Sequence, residues 1–221
     1  MRAAAGALPT GDGVKAAVGA PQTGDGVKAA VGALLTGGAG SRMGGDKARL
    51  LLAGITLARR GAVLLARVTP EVIQIGGVPI TALGIEHHRD LRPDAGPAAG
   101  IETALACAGG RPVVVLAVDL PLVPAGLLRA ALAMVDAGAL IAAPRAMGRW
   151  HPLCAAYAPG VLEPLRARLD AEVFGMQAMA EELATPIEND ALAAFGSPDH
   201  MLLNLNTPDD VGRAEQILRD S

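Results

Sequence analysis

A three-layer, doubly wound α/β domain with a mostly parallel sheet is the fold class this sequence predicts, and three observations carry it. Short apolar runs alternate with longer segments of helical period along most of the chain. One run, residues 112–118, is apolar almost throughout, the pattern of a central strand covered on both faces. The loops richest in glycine, aspartate and asparagine follow the ends of these runs, where open α/β sheets bind their ligands.

The elements follow in order. Residues 31–35 form the first strand. Residues 56–68 carry Leu57, Val63, Leu64 and Ala66 at helical spacing, and Thr69 before Pro70 ends that helix. Residues 71–75 read as a buried strand stopped by Gly76 and Gly77, and residues 81–86 as a weaker one. A loop rich in proline and glycine, residues 89–100, feeds a helix over 98–108 with Pro97 at its first turn. After the strand at 112–118 come a helix at 124–137 and strands at 139–143, 153–157 and 201–205. Helices at 160–168, 175–183 and 208–219 complete the alternation.

The chain has 221 residues, enough for one such domain with a substantial core. Aromatic residues make up only 2%, so leucine, valine, isoleucine and alanine must fill that core. A net charge of -3 and few aromatics exclude a basic, base-stacking nucleic-acid surface. Nor is there an apolar run of roughly 18 residues, so no membrane span is expected. Cys107 and Cys154 lie far apart and read as free thiols of a reducing, cytoplasmic protein. Residues 11–20 recur verbatim as residues 24–33, and two copies cannot stack a core of their own. Residues 1–29 therefore read as a repeat-containing, disordered tail without catalytic role, and residues 30–221 as the working domain.

Residues 35–47 say most about chemistry. The strand opens into a loop with Gly37, Gly38, Gly40 and Gly44, whose only Arg and Lys are Arg42 and Lys47. Glycines let backbone N–H groups surround an anion, and the two cations neutralise it. The spacing is neither the dinucleotide fingerprint nor the P-loop. Asp119 ends the strongest strand; a carboxylate there either takes a Mg²⁺ ion carried by phosphates or caps the turn before Pro121. Asp90 and Asp94 flank Arg92, and either accept from a base or ribose or serve the turn. Thr207 caps the last helix, with Pro208 at its first position and Asp210 at its positive end; Asn206 can also offer an amide oxygen to a metal. His87 and His88, adjacent on a strand, cannot easily share one ion, and these two with His151 read as surface or packing residues.

Five motifs occur in order: Gly37-Gly38 with Arg42, Met43, Gly44, Asp46 and Lys47; Gly96-Pro97 with Gly100; Val118-Asp119 with Pro121; His151-Pro152-Leu153; and Asn204 with Asn206, Thr207 and Pro208. Together, over residues 31 to about 220, they resemble the molybdenum cofactor guanylyltransferase family, MobA-like nucleotidyltransferases with a Rossmann-like fold. The resemblance implies transfer of GMP from GTP to a molybdopterin-type cofactor, with pyrophosphate released and Mg²⁺ required. It implies that Arg42 and Lys47 hold the triphosphate and that Leu35, Thr36, Gly37 and Gly38 surround the nucleotide. Asp90 would contact base or sugar, and Asp119 would bind the metal with help from Asn206. Transient contacts with other cofactor-biosynthesis proteins or with molybdoenzymes would follow. Two positions depart from the pattern: Ile75-Gly76-Gly77 stands where guanylyl members carry a base-reading asparagine, and Ala98 where a leucine is usual. The related alternatives are a cytidylyltransferase or a sugar-1-phosphate nucleotidyltransferase, and, in another class, a nucleotide-binding module without turnover.

Overall fold

The structure is a computed structural model and describes residues 29–37 and 46–220. Seven strands lie side by side in the order β10-β7-β9-β6-β1-β4-β5, with β8 paired to β7. The central strand β1, Val31–Leu35, runs parallel to β4, Glu71–Ile75, and to β6, Val113–Ala117. β5, Glu86–His88, continues the parallel set at one edge. On the other side β9, Cys154–Tyr157, is antiparallel to both β6 and β7, Ile141–Ala146. β10, Ala184–Ile187, closes that edge parallel to β7, and β8, Arg149–Trp150, folds back on β7.

Alternation along β1 sends its side chains to two cores. Leu34 joins Leu57, Leu65, Leu116 and Leu127 beneath α1, Leu57–Ala66, and α3, Ala125–Asp136. Val31, Ala33 and Leu35 join Ile73, Ile101, Val113 and Tyr157 beneath α2, Pro97–Cys107, and α4, Leu162–Asp170. Thr56 caps α1 by accepting from the Arg59 N–H, and Pro97 sits in the first turn of α2, as the sequence predicts. Three helices follow: α5, Met176–Leu183; α6, Asn189–Ala193; and α7, Pro198–Met201. The last, α8, spans Pro208–Asp220. The doubly wound expectation holds, with helical layers on both faces of a mixed, mostly parallel sheet.

Some elements differ from expectation. Residues 201–205 form no strand: α7 ends at Met201, and Leu202, Leu203 and Leu205 are buried against the α1 and α3 side. Leu205 N–H to the Asp119 carbonyl (2.9 Å) ties this segment to the sheet. An apolar run can satisfy burial without a ladder. Residues 81–83 make a 3₁₀ turn ended by Gly84 at φ 67°, so the strand begins only at Glu86. The hairpin of β2, Leu51–Leu52, and β3, Ile55–Thr56, escapes the sequence reading because Ala53 occupies a positive-φ turn position (48°) beside Gly54. β10 escapes because it contains Pro186, which an edge strand tolerates. Both cysteines are free, Cys107 exposed and Cys154 buried; burial pushes the Cys154 thiol up to about 12. Among the described residues, no helix is long and apolar enough to cross a membrane.

Candidate active site

β1, β4 and β6 run parallel, so their carboxyl ends open on one edge of the sheet, where the loop after β1 begins. Two half-sites form there, one on each side of β1.

The first lies between β1 and β4. The Thr36 N–H bonds the Ile75 carbonyl (2.9 Å), and its hydroxyl donates to the carbonyls of Gly76 (2.8 Å) and Ile75 (3.2 Å). Beneath it is Gln74, only 1% exposed. Its amide nitrogen donates to Thr36 Oγ1 (2.9 Å) and the Val78 carbonyl (2.8 Å), and its oxygen accepts from the Ile80 N–H (3.0 Å). Gly76 and Gly77 have φ of 66° and 61°, and a Cβ on Gly76 would sit 2.8 Å from Asp90 Oδ2. A Cβ on Gly37 would sit 3.2 Å from the same oxygen. Asp90 therefore faces a floor made of backbone. Burial pushes its carboxyl above the usual range, an effect that neighbouring His87 opposes. The loop carrying Asp90 is held by the Leu91 N–H on buried Thr103 Oγ1 (2.9 Å), and by Arg92 on buried Glu102 (2.9 Å), a carboxylate that Arg166 also contacts.

The second half-site lies beyond β6. The Val118 N–H bonds the Leu35 carbonyl (3.0 Å), which leaves Asp119 just past the strand. Asp119 Oδ1 is buried with no hydrogen-bond partner among the described residues, and Oδ2 lies 3.5 Å from Lys47 Nζ. Burial raises this carboxyl above its ordinary range, and Lys47 pulls it back. Lys47 stands in a 3₁₀ turn capped by Asp46, and donates to Asn206 Oδ1 at 2.7 Å. Asn206 is placed by Asp210, whose Oδ2 accepts from the N–H groups of Asn206 (2.9 Å) and Thr207 (2.8 Å). Asn204 Oδ1 is a further buried oxygen without a partner among the described residues.

Lys47, Asp119 and Asn206, far apart in sequence, are thus brought together, and Leu35, Thr36, Gly37 and Asp90 meet across β1. Gly38 and Arg42 lie outside the described residues. Asp94 sits at φ 66° in the turn before α2, a structural position. His87 touches the Gly76 carbonyl (3.2 Å), His88 pairs with Glu86, and His151 is buried. Gln74 and Asn204 were missed as site residues. A glutamine inside the apolar run Val72-Ile73-Gln74-Ile75 was the available signal, since a buried polar side chain must find partners.

The sequence profile of the MobA-like NTP transferase domain matches residues 32–186. The chain belongs to the MobA-like NTP transferase family. It is therefore an enzyme of the nucleotidyltransferase class. The molybdenum cofactor guanylyltransferase of Cereibacter sphaeroides is 38% identical over 194 residues, covering 83% of this chain and 94% of that protein. The one from Rhizobium meliloti is 30% identical over 196 residues, covering 82% and 88%. Molybdopterin-guanine dinucleotide biosynthesis protein A of Archaeoglobus fulgidus superposes with a TM-score of 0.73 at 25% identity, covering 86% of this chain and all of the other. The 2-C-methyl-D-erythritol 4-phosphate cytidylyltransferase of Thermus thermophilus shares the fold, with a TM-score of 0.60 at 19% identity. In this MobA-like chain both half-sites lie within or just beyond the matched span, Asn204, Asn206 and Asp210 following it.

Proposed function

We propose that this MobA-like enzyme transfers GMP from GTP to a molybdopterin-type molybdenum cofactor and releases pyrophosphate. The observation that carries the reading is the Asp119 oxygen, buried and unpartnered among the described residues, on a carboxylate that faces Lys47, itself bonded to Asn206, at the sheet's carboxyl edge. The names of the guanylyltransferase relatives supply the substrates.

The donor set suits Mg²⁺, which prefers carboxylate and amide oxygens together with phosphate oxygens. Asp119 and Asn206 would hold it. When bound, Mg²⁺ supplies positive charge against the charge that develops on the phosphates.

The chain's own residues supply the rest. An oxygen of the acceptor's terminal phosphate bonds to the α-phosphorus of GTP, while the bond from that phosphorus to the α,β-bridging oxygen breaks and the oxygen leaves with its electron pair on pyrophosphate. The attacking group is already an anion, so no side chain needs to take a proton. The task is to bring anions together, which fixed cations and N–H donors accomplish. Lys47 exchanges its Asn206 and Asp119 contacts for the triphosphate, and Arg42 joins it. Leu35, Thr36, Gly37 and Gly38 line the nucleotide with backbone, and Asp90 accepts from base or ribose over the Gly37-Gly76 floor. Residues 1–29 take no part.

Incubation of the protein with GTP, Mg²⁺ and molybdopterin is expected to release pyrophosphate, and Asp119→Ala to abolish release. Competition among GTP, CTP, ATP and UTP tests the base. Preference for CTP would make the enzyme a cytidylyltransferase, a reading that the glycines at 76 and 77 keep open. Tight GTP binding without release from any nucleotide would overturn turnover itself.

A further inference from the structure

β9 is antiparallel to both β6 and β7, so β7 points the same way as β6, and β10 runs parallel to β7. The carboxyl ends of β7 and β10 therefore open on the same edge of the sheet as Asp119. A cavity of about 750 Å³ lies there, lined among others by Arg145, Met147, Gly148, Pro186, Glu188 and Asp190. It belongs to neither half-site described above.

Its walls are chemically distinct. Arg145 is held on one side, its guanidinium 5.4 Å from the Trp150 ring centre and 3.4 Å from Glu181 Oε1. Trp150 is itself fixed: its ring N–H donates to Glu181, and Gln177 bonds both its backbone N–H (3.0 Å) and its carbonyl (2.9 Å). Beside it, just past the end of β10 where Ile187 pairs with Pro144 of β7, stand Glu188 and Asp190, whose carboxylates take no hydrogen bond or ion pair among the described residues. Met147, half-exposed at φ 52°, and Pro186 add apolar surface.

The cavity is also joined to the catalytic strand. The His151 N–H bonds the Pro144 carbonyl of β7 (2.9 Å), and the Leu153 carbonyl accepts from Ala117 N–H (2.8 Å), two residues before Asp119. The His151-Pro152-Leu153 motif, which the nucleotide chemistry leaves unused, thus ties β7 to β6. β7 lies two strand positions from β6, about 10 Å, and β10 three, about 14 Å.

We propose that this cavity seats the heterocycle of the acceptor. The inference rests on the proposed guanylyl transfer to a pterin. A pterin presents an amino group and a ring N–H on one edge, a donor pair that a carboxylate accepts with two parallel bonds. Glu188 and Asp190 supply that carboxylate, Arg145 faces the carbonyl side of the ring, and Met147 and Pro186 cover its face. The acceptor's phosphate, at the far end of the molecule, then reaches the nucleotide's α-phosphate beside Asp119.

The test uses the full chain and its Glu188→Gln/Asp190→Asn double variant; both positions are exposed, so the fold is retained. Carboxypterin, which is fluorescent, serves as a direct binding probe, and steady-state pyrophosphate release gives KM for molybdopterin and for GTP. The variant is expected to raise KM for molybdopterin by about tenfold, the worth of one charge-assisted hydrogen bond, and to weaken carboxypterin binding comparably. GTP KM and kcat stay unchanged. An active wild type whose variant keeps both the acceptor KM and carboxypterin affinity overturns the cavity's role and leaves guanylyl transfer standing. A wild type that binds GTP but releases no pyrophosphate with molybdopterin overturns the transfer reading. Carboxypterin binding lost in the variant would then still support the cavity as a pterin site.

Discussion

Gly77 shows how finely the proposed nucleotide pocket is cut at the level of one residue. Its φ of 61° and a virtual Cβ 2.8 Å from the Thr36 carbonyl leave no room for a side chain. Gly77→Ala is expected to cost about 1–2 kcal/mol from the left-handed backbone alone. Displacing Thr36 should weaken GTP binding as well. Urea unfolding reads the first effect and nucleotide titration the second. Unchanged values in both would show that the β1–β4 junction yields. The glycines after Ile75 were visible in the sequence as a strand stop, but their closeness to Asp90 was not, because contacts across 14 residues depend on where β5 pairs. Lys47, Asp119 and Asn206 were legible as chemistry-bearing types at strand ends. The Lys47-to-Asn206 contact spans 159 residues and only the fold discloses it.

At the scale of an element, the start of α8 does two jobs with one carboxylate. Asp210 accepts from the Asn206 N–H, the Thr207 N–H and the Thr207 hydroxyl, and these bonds hold its carboxyl below the usual range. Asp210→Ala is expected to cost about 1 kcal/mol of stability, as a lost helix cap does. It should also lower kcat more than the KM for GTP, because Asn206 loses its anchor. A purely structural cap would shift Tm and leave kcat alone, so the two measurements separate the roles. The cap was readable from Thr207-Pro208 and Asp210, whereas the apolar residues before it suggested a strand. Burial and laddering are different demands, and hydrophobicity reports only the first. Antiparallel β9 teaches the same lesson about β6: a fully apolar run announces two covered faces, not the direction of its neighbours.

For the molecule as a whole, one buried imidazole between β7 and β6 gives stability a specific pH profile. His151 sits at the join, 5% exposed, and burial together with nearby Arg149 lowers its pKa from 6.5 to about 4. The unfolded chain therefore binds this proton first as pH falls. Its contribution is fully present above about pH 6.5 and is lost as pH falls from there to about 4, at most about 3 kcal/mol. His151→Gln is expected to flatten that part of the stability curve measured by urea unfolding. An unaltered slope would show that another group dominates. The layered α/β plan was legible in the alternation of runs and helices. The edge strand β10 and the β2–β3 hairpin were not, since proline and alanine occupy positions that pairing in space makes acceptable.

One buried amide has a wider consequence. Gln74 bonds Thr36 on one lip of the β1–β4 junction and residues 78 and 80 on the other, so a single side chain stitches both lips together. Such a slot is set before any nucleotide arrives. As the proposed base site, it would discriminate among bases by rigid fit, with little ordering entropy left to spend on entry. On that reading, a change of base preference would come from resculpting the slot's lining.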